Sequence, residues 1–224
     1  TGDSLLNTQK VYGYTEEEIR ILLTPMANTA YEPTGSMGND APLAVLSREH
    51  QILSNYFKQL FAQVTNPPLD AIREELVTSI SGFIGSQKNL FAETPEHCNQ
   101  LWLESPILDN NQIEEVKVLN KRGINSTAVS ILYNPKKINL KDAIEHLKES
   151  VIEAVNAGAS IVILSDRGIN SDAIPIPALL ATSATHHGLI KAGLRTQVGL
   201  VVESADPREI QHICLLIGYG AGAI

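Results

Sequence analysis

The spacing of apolar positions divides the chain near its middle. From about residue 127, short apolar runs alternate with stretches of helical length. "AVSILY" (128–133) reads as a strand, and "LKDAIEHLKESVIEAVNAG" as a helix capped by Asn139 and stopped by Gly158. "ASIVILSD" (159–166) is a continuous β-branched run, the pattern of a strand covered on both faces. "IPALLATSATHHGLIKAG" predicts a helix started near Pro177 and stopped at Gly193. "TQVGLVVES" (196–204) is the next strand. "DPREIQHICLLIG" opens a further helix, with Asp206 as N-cap, Pro207 in the first helical position and Glu209 three residues after the cap. The final "AGAI" starts a fourth strand. Strands separated by single helices predict parallel pairing with right-handed crossovers.

Residues 1–121 are irregular by comparison with the βα units of 122–224. Thr15 followed by Glu18 marks a helix start, and Pro25 is expected to end that helix after Leu23. Residues 31–47, "YEPTGSMGNDAPLAVLS", are too rich in turn formers for a helix and too small for an ordinary strand. In "REHQILSNYFKQLFAQV", the residues Ile52, Leu53, Tyr56, Phe57, Leu60, Phe61 and Val64 recur at three- and four-residue spacings. That predicts an amphipathic helix with an aromatic buried face and Lys58 on its wet side. "TNPPLD" (65–70) stops it, "AIREELVTSI" predicts a second helix, and the segment beyond reads as loops with short elements. The expected fold class is α/β: a partial or incomplete (β/α) barrel-like parallel sheet with an irregular, mainly helical N-terminal half. An open doubly wound sheet is the alternative, and periodicity does not separate the two.

Composition narrows the classes. The 224 residues are 43% hydrophobic and 19% charged, enough for one large domain or two small ones. A net charge of -8 argues against a basic nucleic-acid groove. No apolar run approaches the ~18 residues of a membrane span, and the polar start shows no signal peptide. Cys98 and Cys214 lack CxxC spacing, so they read as two reduced, buried thiols rather than a disulfide or zinc site. The missing initiator Met and the apolar end "LLIGYGAGAI" suggest a piece excised from a longer polypeptide.

Candidate chemistry is sparse. "GYGAG" (218–222) follows a helix and precedes a strand, the reverse of a dinucleotide fingerprint, so a tight turn with a glycine cap is the favoured reading. "SDRG" (165–168) and Glu203–Ser204 end consecutive strands, where barrel enzymes carry their chemistry. Asp166, Arg167 and Glu203 are therefore weak pocket candidates. The favoured alternative is that Asp166 and Arg167 pair with each other or cap loop backbone. His186 and His187 are adjacent on a helix, about 100° apart, and do not face one metal together; one is expected against the sheet and the other toward solvent. His212 is similar. No Cys–His dyad, no G-x-S-x-G elbow and no complete catalytic set is present.

The ordered strings say more. "YGYTEEEIRILLTPMA", "EPTGSMGNDAPLAVLS", "NYFKQLFAQVTNPPLDAIREELVTS", "LESPIL", "GASIVILSDR", "IPIPALLATSATHHGLIKAGLRT" and "GYGAGAI" occur in this order. Together they resemble the central domain of glutamate synthase, over nearly the whole of residues 1–224. The cast of "ESADPREIQHICLLIGYGAGAI" leans to the ferredoxin-dependent type. The pattern departs from the family's after His187 and near Ala205, where a further His and a Gly are expected.

The resemblance implies a parent enzyme that makes glutamate from glutamine and 2-oxoglutarate. Its glutaminase domain releases ammonia, and a tunnel leads to an FMN barrel with an iron–sulfur cluster. The resemblance implies that the central domain joins these two domains, surrounds the tunnel and binds no cofactor, metal or catalytic group of its own, so the fragment alone is inactive. The implied partners are the glutaminase and FMN-binding domains of the same polypeptide, with ferredoxin as electron donor and neither nucleic acid nor membrane. The implied compartment is the cytoplasm, or the plastid stroma in a plant or alga. Residues 31–47 become a glycine-hinged interface segment, more mobile when its neighbours are absent, with Thr34, Ser36, Asn39 and Asp40 as candidate interface or tunnel-side groups. The alternatives are an independent barrel-type flavin- or phosphate-binding enzyme using the strand-end groups, and a metabolite-sensing module.

Overall fold

A computed structural model describes residues 2–32, 43–57 and 70–224. Thr34, Ser36, Asn39 and Asp40 lie outside the described residues, as do Lys58, Leu60, Phe61 and Val64. The chain divides into two units, Thr1–Ser79 with Asp206–Cys214, and Ile80–Ala205 with Leu215–Ile224. Residues 80–121 therefore group with the βα units, although the change of texture in the sequence lies near 121.

In the first unit, α1 spans Gly2–Val11 and α2 spans Glu16–Glu18. The expected capping box is formed: the Glu18 amide donates to Thr15 Oγ1 at 3.1 Å and the Thr15 amide to Glu18 Oε2 at 3.0 Å. Pro25 does not end the helix. A π-turn at Ile19–Leu23 leads directly into α3, Thr24–Thr29. The Thr24 amide reaches back to the Ile19 carbonyl, which places Pro25 in the first turn of a new helical segment, where its missing N–H breaks no bond. The turn ends at Ala30, in the left-handed region at φ 59.

The amphipathic helix expected from residue 48 does not form over its described part. Leu53–Phe57 is a 3-10 turn, and Tyr56 and Phe57 are about half exposed. A local side chain–backbone bond competes with an α-helix at its expected start: the Glu49 amide donates to Ser47 Oγ at 3.1 Å. The next helix shrinks to one turn, α4 at Glu74–Val77. Upstream of it Asp70 accepts from the Ile72 and Arg73 amides and fixes a turn.

The second unit begins with an antiparallel pair, β1 (Gly82–Ile84) and β2 (Leu101–Leu103). Helix α5 (Asn110–Lys117) follows, with Asp109 and Gln112 forming a capping box. Then come β3 (Asn120–Lys121), β4 (Ile124–Ser130), β5 (Leu132–Tyr133), α6 (Leu140–Asn156), β6 (Ile161–Ser165), β7 (Ile174–Pro175), α7 (Ala178–Lys191) and β8 (Gly199–Glu203). Asn139 caps α6 as its spacing predicts, accepting from the Asp142 amide at 2.9 Å.

The main sheet has the order β3-β4-β6-β8, with β4, β6 and β8 parallel and β3 antiparallel to β4. The expected fourth strand is present at its start: Ala223 bridges Val201 in parallel, and the Val202 amide donates to the Ala223 carbonyl at 2.9 Å. The architecture is mixed α/β, and no sheet closes into a barrel among the described residues. The strand expected over 128–133 is split. β4 stops at Ser130; buried Ile131 donates its amide to the Ser165 carbonyl of β6 and accepts from the Ile176 amide, and β5 beyond it pairs with β7.

Both faces of the sheet are covered, as the unbroken apolar run predicts. Val162, Leu164 and Leu200 pack with Leu147 and Val151 of α6 and Leu189 of α7. Ile161, Ile163, Val201 and Ala223 pack with Ile84 and with Ile113 and Val116 of α5.

The last helix, α8 (Ile210–Gly218), starts later than the sequence suggests, and Asp206 is not its N-cap. The cause lies in the first unit. Arg208, with a side chain 1% exposed, donates to Glu18 Oε1 at 2.7 Å, to the Gly13 carbonyl at 3.3 Å and to the Tyr12 carbonyl. Its guanidinium lies 3.9 Å from the Tyr14 ring centre. That engagement holds residues 206–209 off the helical path, and the Ile210 amide is capped from afar by Glu32 Oε1 at 3.0 Å. The two cysteines are exposed rather than buried: Cys98 closes the short turn Pro95–Cys98, and Cys214 lies on the outer side of α8.

Candidate functional site

The C-terminal ends of β6 and β8 carry the charged groups singled out above. Ser165 and Glu203 are register partners, so their side chains share the sheet face covered by α5. Asp166 and Ser204, one residue on, belong to the opposite alternation. The structure accordingly builds two networks.

In the first, Glu203 Oε2 accepts from Ser165 Oγ at 2.6 Å, and Glu203 Oε1 accepts from Lys117 Nζ at 2.8 Å and from Arg167 Nε. Arg167 Nη2 continues to Asn110 Oδ1 at 2.6 Å, and Lys117 also meets Glu114 at 2.8 Å. Burial opposes charge on Glu203, yet the hydrogen bonds from Arg167, Lys117 and Ser165 outweigh it and hold the carboxyl below its ordinary value of 4.5. In the second network, buried Asp166 accepts from Ser204 Oγ at 2.6 Å and from the Ala205 amide at 3.1 Å. Arg167 and Glu203 are thus joined, and Asp166 is held apart from them as a loop-capping carboxylate.

Lys117 and Asn110 escaped sequence reasoning because α5 was read as loop. The D-x-x-Q spacing at Asp109–Gln112 and the apolar pair Ile113 and Val116 are the signals that mark that helix. Chemically the arrangement is a neutralised carboxylate between two cations and a hydroxyl. Glu203 has its charge committed and is poorly suited to accept a proton near neutrality.

A pH effect follows. The Glu203 pKa is lower folded than unfolded, so its stabilisation is present above about 4.5 and is lost as pH falls through the depressed value. Urea unfolding near pH 7 and near pH 4 should show the wild type losing stability on acidification, with Glu203→Gln less stable at neutrality and the pH slope shallower. Equal slopes for the two proteins would remove Glu203 from the account.

The glycine-rich turn closes α8: the Gly220 amide donates to Ile217 and the Ala221 amide to Leu216, as an αβ turn requires. Arg195 locks this turn to α7. Its Nη2 donates to the Gly220 carbonyl at 2.8 Å, its Nη1 to the Val198 carbonyl at 2.8 Å and its Nε to His186 Nδ1 at 2.9 Å. Burial lowers the His186 pKa, with the Arg195 charge and His187 adding to it, so the imidazole is neutral and accepts at Nδ1. His187 is exposed, and the two rings meet edge to face at 5.2 Å. His212 is buried; its Nδ1 accepts from the Arg208 amide at 3.2 Å, and its Nε2 lies 3.1 Å from Glu209. Among the described residues no cluster of three His, Cys, Asp or Glu side chains is placed to hold a metal.

A family profile described as "Glutamate synthase central domain" matches residues 7–224. Over 220 residues the chain is 45% identical to the glutamate synthase [NADPH] large chain of Bacillus subtilis, covering 98% of this chain and 14% of that protein. It is 40% identical over 221 residues to glutamate synthase [NADH] of Schizosaccharomyces pombe, covering 97% of this chain and 10% of that protein. It is 40% identical over 226 residues to ferredoxin-dependent glutamate synthase 2 of Synechocystis sp., covering 99% and 14%. The chain thus spans 10% to 14% of the length of these relatives.

Proposed function

The chain belongs to the family of glutamate synthase central domains, and on that premise we propose that it works as a non-catalytic coupling module inside such an enzyme. It would join the glutaminase domain to the FMN and iron–sulfur domain and contribute to the surroundings of the ammonia tunnel. The parallel run β4-β6-β8-Ala223 is read as part of a barrel-like sheet that carries no site of its own. The observation that carries this reading is the internal satisfaction of the strand-end charges: Glu203, Arg167, Lys117 and Asp166 are spent on one another and on the loops. Two cysteines cannot alone supply the four thiolates of an iron–sulfur cluster, and the proposal assigns the cluster and the FMN to the rest of the parent enzyme.

Thr34, Ser36, Asn39 and Asp40 remain the proposed interface or tunnel-side groups. The ferredoxin expectation gains nothing from similarity, because the NADPH-named relative is 45% identical and a ferredoxin-named one 40%. No helix of the described residues is long and apolar enough to cross a membrane. A cytoplasmic or plastid-stromal setting is the proposal, and chloroplastic relatives exist, for example in Spinacia oleracea.

The test is made in the full-length enzyme. Asp166→Asn, Arg167→Gln and Glu203→Gln should each leave glutamine hydrolysis and glutamate formation within about threefold of wild type, because a general acid or base would contribute 10²–10⁴-fold. A loss of about a hundredfold with the fold retained would move the chemistry into this domain. Saturable FMN binding by this chain, followed by flavin fluorescence, would favour the independent flavin-binding reading.

A further inference from the structure

The β1–β2 hairpin has one face in the core and one in solvent. Ile84 packs inward so closely that an added Cβ on Gly222 would lie 2.8 Å from its Cγ2. Leu101 and Leu103 pack on the same cluster. The intervening register pair, Phe83 and Trp102, points the other way. These rings touch each other, with centroids 4.8 Å apart and planes at 58°, yet they are 63% and 53% exposed. The loop joining the strands adds Leu90 and Phe91, 88% and 99% exposed.

That loop has fixed internal bonds. The Phe91 amide donates to Asn89 Oδ1 at 3.0 Å and the Ala92 amide to the Asn89 carbonyl at 3.0 Å. The two His97 ring nitrogens lie 2.9 Å and 3.1 Å from the Thr94 and Asn89 carbonyls. At its root the Gln87 amide donates to the Thr196 carbonyl at 2.7 Å. One supersecondary element thus presents the chain's single tryptophan and two of its four phenylalanines outward on a bonded framework. Aromatic side chains held in advance lose little entropy on docking and dominate the energetics of buried contacts. Exposed aromatics that touch each other, as Phe83 and Trp102 do, are a recurring mark of interaction surfaces.

We propose that this hairpin, with the exposed Phe83–Trp102 pair on its strands and Leu90 and Phe91 on its connecting loop, is the seat of another domain of the same polypeptide, which offers it an apolar, pocketed surface. The choice of occupant rests on the central-domain reading and on length. The relatives keep 40% to 45% identity across 97% to 99% of this chain, yet it makes up only 10% to 14% of them. Most of the parent chain is therefore tethered to this domain at high effective concentration, which favours an intramolecular partner over a free one.

The test uses the full-length enzyme carrying a photo-crosslinking benzophenone amino acid in place of Phe91. Irradiation should give a crosslink to a peptide outside residues 1–224 of the same chain, located by mass spectrometry. Phe91→Ser supplies a second readout: a side chain 99% exposed within this chain contributes little to its own stability, so a lowered melting temperature of the whole enzyme reports a lost contact between domains. Crosslinks between two copies, or to a separate protein, would overturn the proposal. So would the absence of any protein crosslink together with an unchanged melting temperature. If that happens while strand-end variants still leave both half-reactions intact, the coupling role stands and only the docking face is lost.

Discussion

Gly220→Ala is expected to destabilise the chain by about 2–5 kcal/mol, the sum of a strained backbone and an overpacked contact. Gly220 sits at φ 116, where an L side chain is strained whatever space surrounds it. There is also no space: a Cβ built there would lie 2.3 Å from His186 Nδ1 and 2.9 Å from His186 Cγ. The imidazole cannot retreat without giving up the Arg195 donor, and Arg195 is the group that also holds the Gly220 and Val198 carbonyls. Urea unfolding of Gly220→Ala, His186→Ala and the double variant separates the two costs. The double variant should recover part of the loss, because removing the ring relieves the contact and leaves the backbone strain. A Gly220→Ala change within about 0.5 kcal/mol of wild type would show that neither cost is real.

Arg208→Met should cost about 2–4 kcal/mol. Breaking a buried ion pair from one side costs roughly 3–5 kcal/mol. Here the remaining carboxylate, Glu18, is 31% exposed and recovers some hydration, which lowers the figure. The Tyr12 and Gly13 carbonyls lose their donors as well. Arg208→Lys should rescue little, because a single ammonium cannot span a carboxylate and two carbonyls as the planar fork does. The Tyr14 phenol gives an independent readout. Burial raises its pKa while Arg208 pulls it down, so removing the guanidinium should shift its titration, followed by ultraviolet absorbance, to higher pH. Wild-type stability in Arg208→Lys would refute the role of the fork.

Some of this molecule is legible from sequence because the bonds concerned are local. The Thr15–Glu18 box and the Asn139 cap join residues three apart, and a spacing rule sees them. The run at Ile161–Ser165 announces burial on both faces because nothing polar interrupts it. The recurrence of strand and helix carried the parallel sheet, and the ordered strings carried the family.

Tertiary structure decided whatever depends on partners distant in the chain. Glu203 and Lys117 are 86 residues apart, so no local pattern showed that the strand-end carboxylate would be neutralised. Arg208 meets the Tyr12 carbonyl 196 residues away, and that contact overrides a sound N-cap signal at Asp206. Pro25 looked like a stop, but a π-turn absorbed it. Phe83 and Trp102 fall in a segment that reads as loops with short elements, and only the strand register pairs them. Sequence by itself thus settled ancestry and the type of the long elements α6, β6 and α7, which follow from short-range bonding and apolar period. The fate of each charge and each exposed ring was set by long-range packing, which spacing does not encode.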